Sequence, residues 1–200
     1  MAFSSSKSVL VSLLLVVFLV INIEPSLSQS TQQIIEKICR STEDYGYCRK
    51  TFQAHLKAPN SDIVAITQIT VEVAVDHATK THQFIRQTLE TTKDANLKRG
   101  LSECEEAYRL IVQAFDSAAV SFFQRDYDGV YKDERITPRV ESSCEDTLAT
   151  PPVSPQRHIL DDRSKGMRIF IVMAMNAVQD LLNSRSEAPA AAPAAAPALL

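Results

Sequence analysis

The chain has 200 residues, 45% of them apolar and 22% charged, with four Gly, no Trp and a formal net charge of −3. That length suits one globular core, and the acidic balance, with no basic block, argues against binding nucleic acid by phosphate neutralisation. Both ends inflate the apolar fraction and stand apart from the rest: residues 1–28 and the Ala/Pro-rich stretch 187–200.

At the N-terminus, Lys7 precedes an uncharged run from Val9 to Ile23, which Glu24 and Pro25 interrupt. The run is shorter than the ~20 residues a spanning helix needs. Small residues at Ser26 and Ser28 complete the pattern of a secretory signal peptide cut after Ser28. Secretion gives meaning to the four cysteines, Cys39, Cys48, Cys104 and Cys144, because an even count in an oxidising compartment suggests bridges. None forms a C-x-x-C pair, so neither a zinc ribbon nor a thioredoxin-type motif is supported. Three connectivities are possible, and sequence proximity favours Cys39–Cys48, which leaves Cys104–Cys144.

Ser30 with Gln33 resembles a capping box for a short helix ending near Cys39, and a second short helix follows Cys48 through Phe52 and Leu56 to Pro59. The next helix starts at Asn60-Ser61-Asp62. Its apolar stripe is Val64, Thr67, Val71, Ala74, Ala78, Thr81, Ile85 and Thr88, although Val71–Val75 taken alone reads as a strand. Then Leu97, Leu101, Cys104, Tyr108, Ile111, Phe115, Ala118 and Phe122 alternate steps of four and three, the buried stripe of a long helix. Over 127–148 the residues Val130, Thr137, Val140, Cys144 and Leu148 keep helical spacing, but Pro138 must end or kink that helix. A loop over Thr150–Pro155 precedes a last helix over Asp161–Leu182. The sum is an all-α fold: a helical hairpin (29–59) followed by an up-down-up-down four-helix bundle (60–186), with Cys104–Cys144 tying two bundle helices together. The tail 187–200 has little to bury and is expected to be disordered. It offers Ala-Pro sites for prolyl hydroxylation and O-glycosylation, or is a plain extension.

Chemistry is sparse. His77 and His82 are about 140° apart on a helix, so they form no i,i+4 metal pair and read as polar surface residues. His158 stands near Asp161 and Asp162, which read as first-turn acids of the last helix, and His55 is isolated. No nucleophile elbow, phosphate loop or dinucleotide fingerprint occurs. Neither a metal nor a cofactor is expected, nor is catalysis. Glu103, Glu105 and Glu106 around Cys104, with Glu145 and Asp146 after Cys144, suggest an acidic patch across the bridged helices.

Three motifs carry a resemblance. They are Ile38-Cys39-Arg40-Ser41-Thr42 followed by Tyr45 and Cys48; Leu101-Ser102-Glu103-Cys104-Glu105-Glu106-Ala107-Tyr108; and Asp126-Tyr127 with Ser143-Cys144-Glu145-Asp146. Val153-Ser154-Pro155 adds a weaker match. Together they resemble the plant invertase and pectin methylesterase inhibitors. The resemblance implies bridges Cys39–Cys48 and Cys104–Cys144, a plant source, and secretion to the apoplast or cell wall, with the vacuole as an alternative. It further implies an inhibitor that blocks a target enzyme's cleft in a 1:1 complex. Several invertase inhibitors of that family carry Asp-Pro-Lys-Phe, whose Lys-Phe enters the invertase cleft; this chain has Asp126-Tyr127-Asp128-Gly129 instead. The resemblance therefore implies pectin methylesterase as target, through Glu106, Ser143, Glu145 and Asp146, with acid invertase as the alternative. A cell-wall structural glycoprotein that works through its tail is a further reading.

Overall fold

The computed structural model describes residues 29–148 and 155–186. The expected signal peptide, most of the expected Thr150–Pro155 loop and the tail lie outside them. Seven helices occur among the described residues: α1 (Gln29–Arg40), α2 (Tyr45–His55), α3 (Ile63–Thr91), α4 (Ala95–Phe123), α5 (Tyr127–Glu134), α6 (Thr137–Leu148) and α7 (Pro155–Ser186). Helices α1 and α2 make the hairpin. The bundle has four legs, α3, α4, the broken leg α5–α6, and α7; α4 and α7 each pack against both α3 and the broken leg.

Aspartates begin four of these helices. Asp44, Asp62, Asp94 and Asp126 each sit just before a helix and accept a hydrogen bond from the backbone N–H three residues on, at 2.7–2.9 Å. Each satisfies a donor that the first turn leaves open. Asp44 shifts the expected start of the second hairpin helix, which opens at Tyr45 and so contains Cys48 rather than following it. Disulfides join Cys39 to Cys48 across the hairpin and Cys104 to Cys144 between α4 and α6.

All eight positions of the α4 stripe are buried, and so are seven of the eight on α3, where only Val64 is partly open. The Val71–Val75 stretch is helical because α4 and α7 both cover α3, and burial outweighs the few tenths of a kcal/mol by which β-branched residues disfavour a helix. Pro138 breaks its leg in a particular way. The chain leaves α5 at Glu134, turns at Arg135-Ile136, and restarts with Pro138 as the second residue of α6, where a missing N–H costs nothing. The last helix begins at Pro155, six residues earlier than expected. Asp161 and Asp162 thus fall in its second turn, not its first, and His158 is simply exposed on the helix.

On the broken leg the buried stripe runs Val130, Glu134, Thr137, Glu141, Cys144 and Leu148, with two carboxyls inside it. Glu134 is 0% exposed, and neither oxygen has a hydrogen-bond partner. Burial, reinforced by neighbouring Asp133, pushes its pKa up to about 8. Such an acid keeps its proton in the folded chain at pH values where the unfolded chain has lost it.

Two outcomes follow for stability. Replacing Cys104 and Cys144 together by Ser opens a 40-residue separation and is expected to cost roughly 4 kcal/mol in chemical denaturation. For Glu134, the folded chain binds more protons than the unfolded one between pH 4.5 and about 8, so stability falls as pH rises through that window and levels off above it. Glu134→Met removes the buried acid. It should raise stability at pH 7.5 by roughly 1–3 kcal/mol and flatten much of that slope in denaturation curves taken from pH 4.5 to 8.5.

Candidate functional site

Helices α4 and α6 run antiparallel in a register fixed by three contacts. Cys104 is bonded to Cys144, Thr147 donates to Glu103 Oε2 at 3.0 Å, and Gly100 lies so close to Leu148 that a Cβ there would approach Leu148 Cδ2 to 3.0 Å. The same run sets Glu106 level with Ser143, one α-helical turn from Asp146. The remaining acids of the expected patch diverge. Glu105 turns toward α3, 2.8 Å from His82 Nε2. Glu106 forms a two-bond pair with Arg109 on its own helix, which holds its carboxyl below the usual range. Glu145 turns inward to the Arg168 guanidinium of α7. Ser143 donates back to Val140 O at 2.7 Å. Asp146 stays exposed with no ion pair among the described residues, and Glu103, also exposed, has only the Thr147 hydroxyl. The outer α4–α6 face is therefore a strip that keeps three of the five expected acids, Glu103, Glu106 and Asp146, with Arg109 among them, while Glu105 and Glu145 leave it.

His77, expected on the surface, is instead half-buried. Its Nε2–H donates to Arg163 O at 2.8 Å, its ring meets Phe170 edge-on at 5.0 Å, and burial lowers its pKa. Gly166 makes room for that ring, since a Cβ there would come within 2.8 Å of His77 Cε1. No group of three or more His, Cys, Asp or Glu side chains is placed to hold a metal among the described residues.

The corner between α4 and α5 is unlike the rest of the surface. Arg125 N donates to Phe122 O and Asp126 N to Ser121 O, both at 2.9 Å, the paired bonds of a Schellman C-cap. Position C′ of that motif is left-handed and favours Gly; here it is Arg125, with φ 61°. Asp126 caps α5, and Gly129 lets it, because a Cβ at 129 would come within 2.8 Å of the Asp126 carboxyl carbon and 3.0 Å of Ser121 Oγ. Tyr127 is buried between Phe122, at 5.7 Å, and the Arg185 guanidinium, 5.0 Å over its ring. With Asp126 and Gly129 committed to the cap and Tyr127 to the interior, what projects is Phe123, 72% exposed, with Val120 and Arg125 beside it. No ion pair engages Arg125 among the described residues. Phe123 also edges an open apolar groove of about 420 Å³, floored by Val71, Val75, Ala119 and Phe122.

Sequence reasoning missed this corner, as it missed Glu134, Glu141 and Arg168. For the two glutamates a signal existed: both fall in step with Val130, Thr137 and Cys144 on the inward stripe. Phe123 directly follows the last stripe residue, so its outward direction was also readable.

The sequence model of a family described as "Plant invertase/pectin methylesterase inhibitor" matches residues 33–181. The chain is 31% identical over 105 residues to the "Cell wall / vacuolar inhibitor of fructosidase 2" of Arabidopsis thaliana, covering 48% of this chain and 58% of that protein. It is 27% identical over 84 residues to a "Putative invertase inhibitor" of Platanus acerifolia, covering 42% and 47%. The matches thus span about half the length of these relatives. In structure it is similar to a pectin methylesterase inhibitor from Arabidopsis thaliana, with TM-score 0.56 and 16% identity over 76% of this chain and 96% of the other. A mutant form of such an inhibitor gives TM-score 0.63 at 16% identity, covering 72% and 95%. These last two likenesses concern the fold. A match over most of the four-legged bundle, together with both bridged cysteine pairs, shows that the chain belongs to the plant invertase/pectin methylesterase inhibitor family, whose members inhibit enzymes and are not themselves enzymes.

Proposed function

We propose that the chain inhibits an acid invertase by pressing the α4–α5 corner into the enzyme's substrate cleft. The observation that carries this is the exposed Phe123 beside Arg125, a phenyl and a guanidinium on a rigid, capped turn. The family resemblance assigns a Lys-Phe pair to the invertase cleft. Residues 126–129 lack that pair, but the chain offers the same two chemistries a few positions earlier. Both relatives similar in sequence carry names for fructosidase or invertase inhibition, which supports the same target. The left-handed Arg125 fits this reading, since a non-glycine residue kept in a disfavoured conformation marks a place where something other than stability is served. A preorganised aromatic and arginine are also the side chains most often found to dominate an interface. In this proposal residues 1–28 are removed on secretion and the inhibitor acts in the cell wall or vacuole.

A second reading is inhibition of pectin methylesterase through the outer α4–α6 strip. The exposed Asp146, level with the Glu106 and Ser143 side of the bridge, favours it. Glu145 then contributes by fixing α6 to α7 rather than by touching the enzyme.

Titration of the oxidised protein against acid invertase and pectin methylesterase in parallel, at pH 5–6, separates the two. On the first reading invertase activity is lost at stoichiometric inhibitor. Phe123→Ala then weakens inhibition by roughly 30-fold or more, the scale of an interface hot spot, while Asp146→Ala leaves it unchanged. Methylesterase loss alone, abolished by Asp146→Ala and untouched by Phe123→Ala, would overturn it. Arg125→Gly gives an independent check. It should raise thermal stability by about 1 kcal/mol by relieving the left-handed arginine, yet weaken invertase inhibition.

A further inference from the structure

The hairpin is held to the bundle by apolar packing through Ile35, Ile38 and Phe52, by the ion pair of Lys37 in α1 with Asp180 in α7 at 2.6 Å, and by further charges at its turn. Two basic residues on α7, one turn apart, reach that turn. Lys165 pairs with Asp44 at 3.0 Å, and Arg168 grips both oxygens of Glu43, with Nε at 2.9 Å and Nη2 at 3.1 Å. The third nitrogen of the same guanidinium, Nη1, points the other way. It bonds Glu145 and stands 4.0 Å from Glu141 Oε1. One cation is thus shared among three carboxylates from two elements.

Glu141 differs from the other two in being only 2% exposed, with Oε1 lacking a hydrogen-bond partner. The groups that face it are Arg168 and the Ser164 hydroxyl from α7, Tyr108 from α4, Glu43 from the hairpin turn, and Glu145 from its own helix. Tyr108 and Ser164 are bonded to each other at 3.3 Å. Burial raises the Glu141 pKa to about 7; Arg168 opposes that shift and Glu43 adds to it. Below that value Glu141 is neutral, and the guanidinium faces two charged partners. Above it a third carboxylate, inside the protein, competes for the same cation. A buried charge gains more from a cation than an exposed one does, because less solvent screens it.

We propose that these four residues form a pH-operated latch: with Glu141 neutral, Arg168 holds the α1–α2 turn through Glu43, and with Glu141 ionised the guanidinium is drawn inward and the hairpin loosens. The apolar packing remains, so the hairpin opens more often without detaching. The latch works whichever enzyme is the target, because it concerns the seating of the hairpin and not the α4–α5 corner.

Hydrogen exchange of the disulfide-bonded chain between pH 5.5 and 8, corrected for intrinsic rates, tests it. Protection of α1–α2 amides is read beside that of α4, whose amides report the global unfolding that Glu134 biases. The expected result is a loss of hairpin protection on the order of fivefold across that range, the scale of a part-buried ion pair. Glu141→Gln should hold the hairpin protected at pH 8, and Glu43→Gln should leave it loosened at both ends of the range. Glu134→Met should leave the loss in place. Hairpin protection that does not change with pH would overturn the proposal, as would a loss that survives Glu141→Gln or disappears with Glu134→Met.

Discussion

The bond between Cys104 and Cys144 brings the α-carbons of α4 and α6 to 4.4 Å and thereby sets the height at which every other residue of the two helices meets. With that height fixed, Gly100 must be a glycine against Leu148, Glu103 reaches Thr147, and Glu141 arrives beside Tyr108 and Ser164. A covalent bond can impose such a register where side-chain packing alone would tolerate a shift, since packing energies change gradually with small displacements. The polar interior around Arg168 depends on it. Moved by one turn, the buried carboxyl would lose both its hydroxyl neighbour and its cation.

How much of this was legible in the sequence depends on how local the cause is. The α4 stripe could be read directly, because an alternation of fours and threes over seven steps has no other regular explanation. Asp62 as a helix start could be read for the same reason, its partner being three residues away. Pro138 was known to break a helix; that it opens the next one required knowing where the chain turned. The acidic patch shows the opposite limit. Glu103, Glu105 and Glu106 lie within four residues, but on a helix Glu105 points about 160° from Glu103 and about 100° from Glu106. Their partners, Thr147, His82 and Arg109, then separate them further. Glu145 could not be assigned at all from its neighbours, since the cation that claims it is 23 residues away and is shared with Glu43, 125 residues from that cation.

The two candidate surfaces have different mechanical support. The α4–α5 corner is stiff: paired cap bonds, a buried tyrosine beneath and a glycine fitted to an aspartate leave Phe123 and Arg125 little freedom to lose on binding. On the outer α4–α6 strip Glu106 is answered from its own helix by Arg109, while Glu103 and Asp146 lack ion pairs among the described residues. Desolvating Glu106, for instance, means also desolvating or displacing Arg109. A partner using that strip gains selectivity and encounter rate more than net affinity.

Helix α3 carries four buried threonines, and three of them, Thr67, Thr70 and Thr88, return their hydroxyls to carbonyls of their own helix at 2.8 Å. Their neighbours on α4 and α7 therefore meet methyl groups, as they would at valine. Polarity closed off within one helix asks for no matching donor or acceptor across the interface. Thr81 is the exception, its buried hydroxyl having no hydrogen-bond partner, but elsewhere such a helix can lie against many different partners without leaving an unanswered polar atom. A bundle with one covalent bond between its legs and faced in this way does not depend on one unique set of interlocking side chains. Wide divergence in sequence, at 16% identity to proteins of the same architecture, is then physically inexpensive.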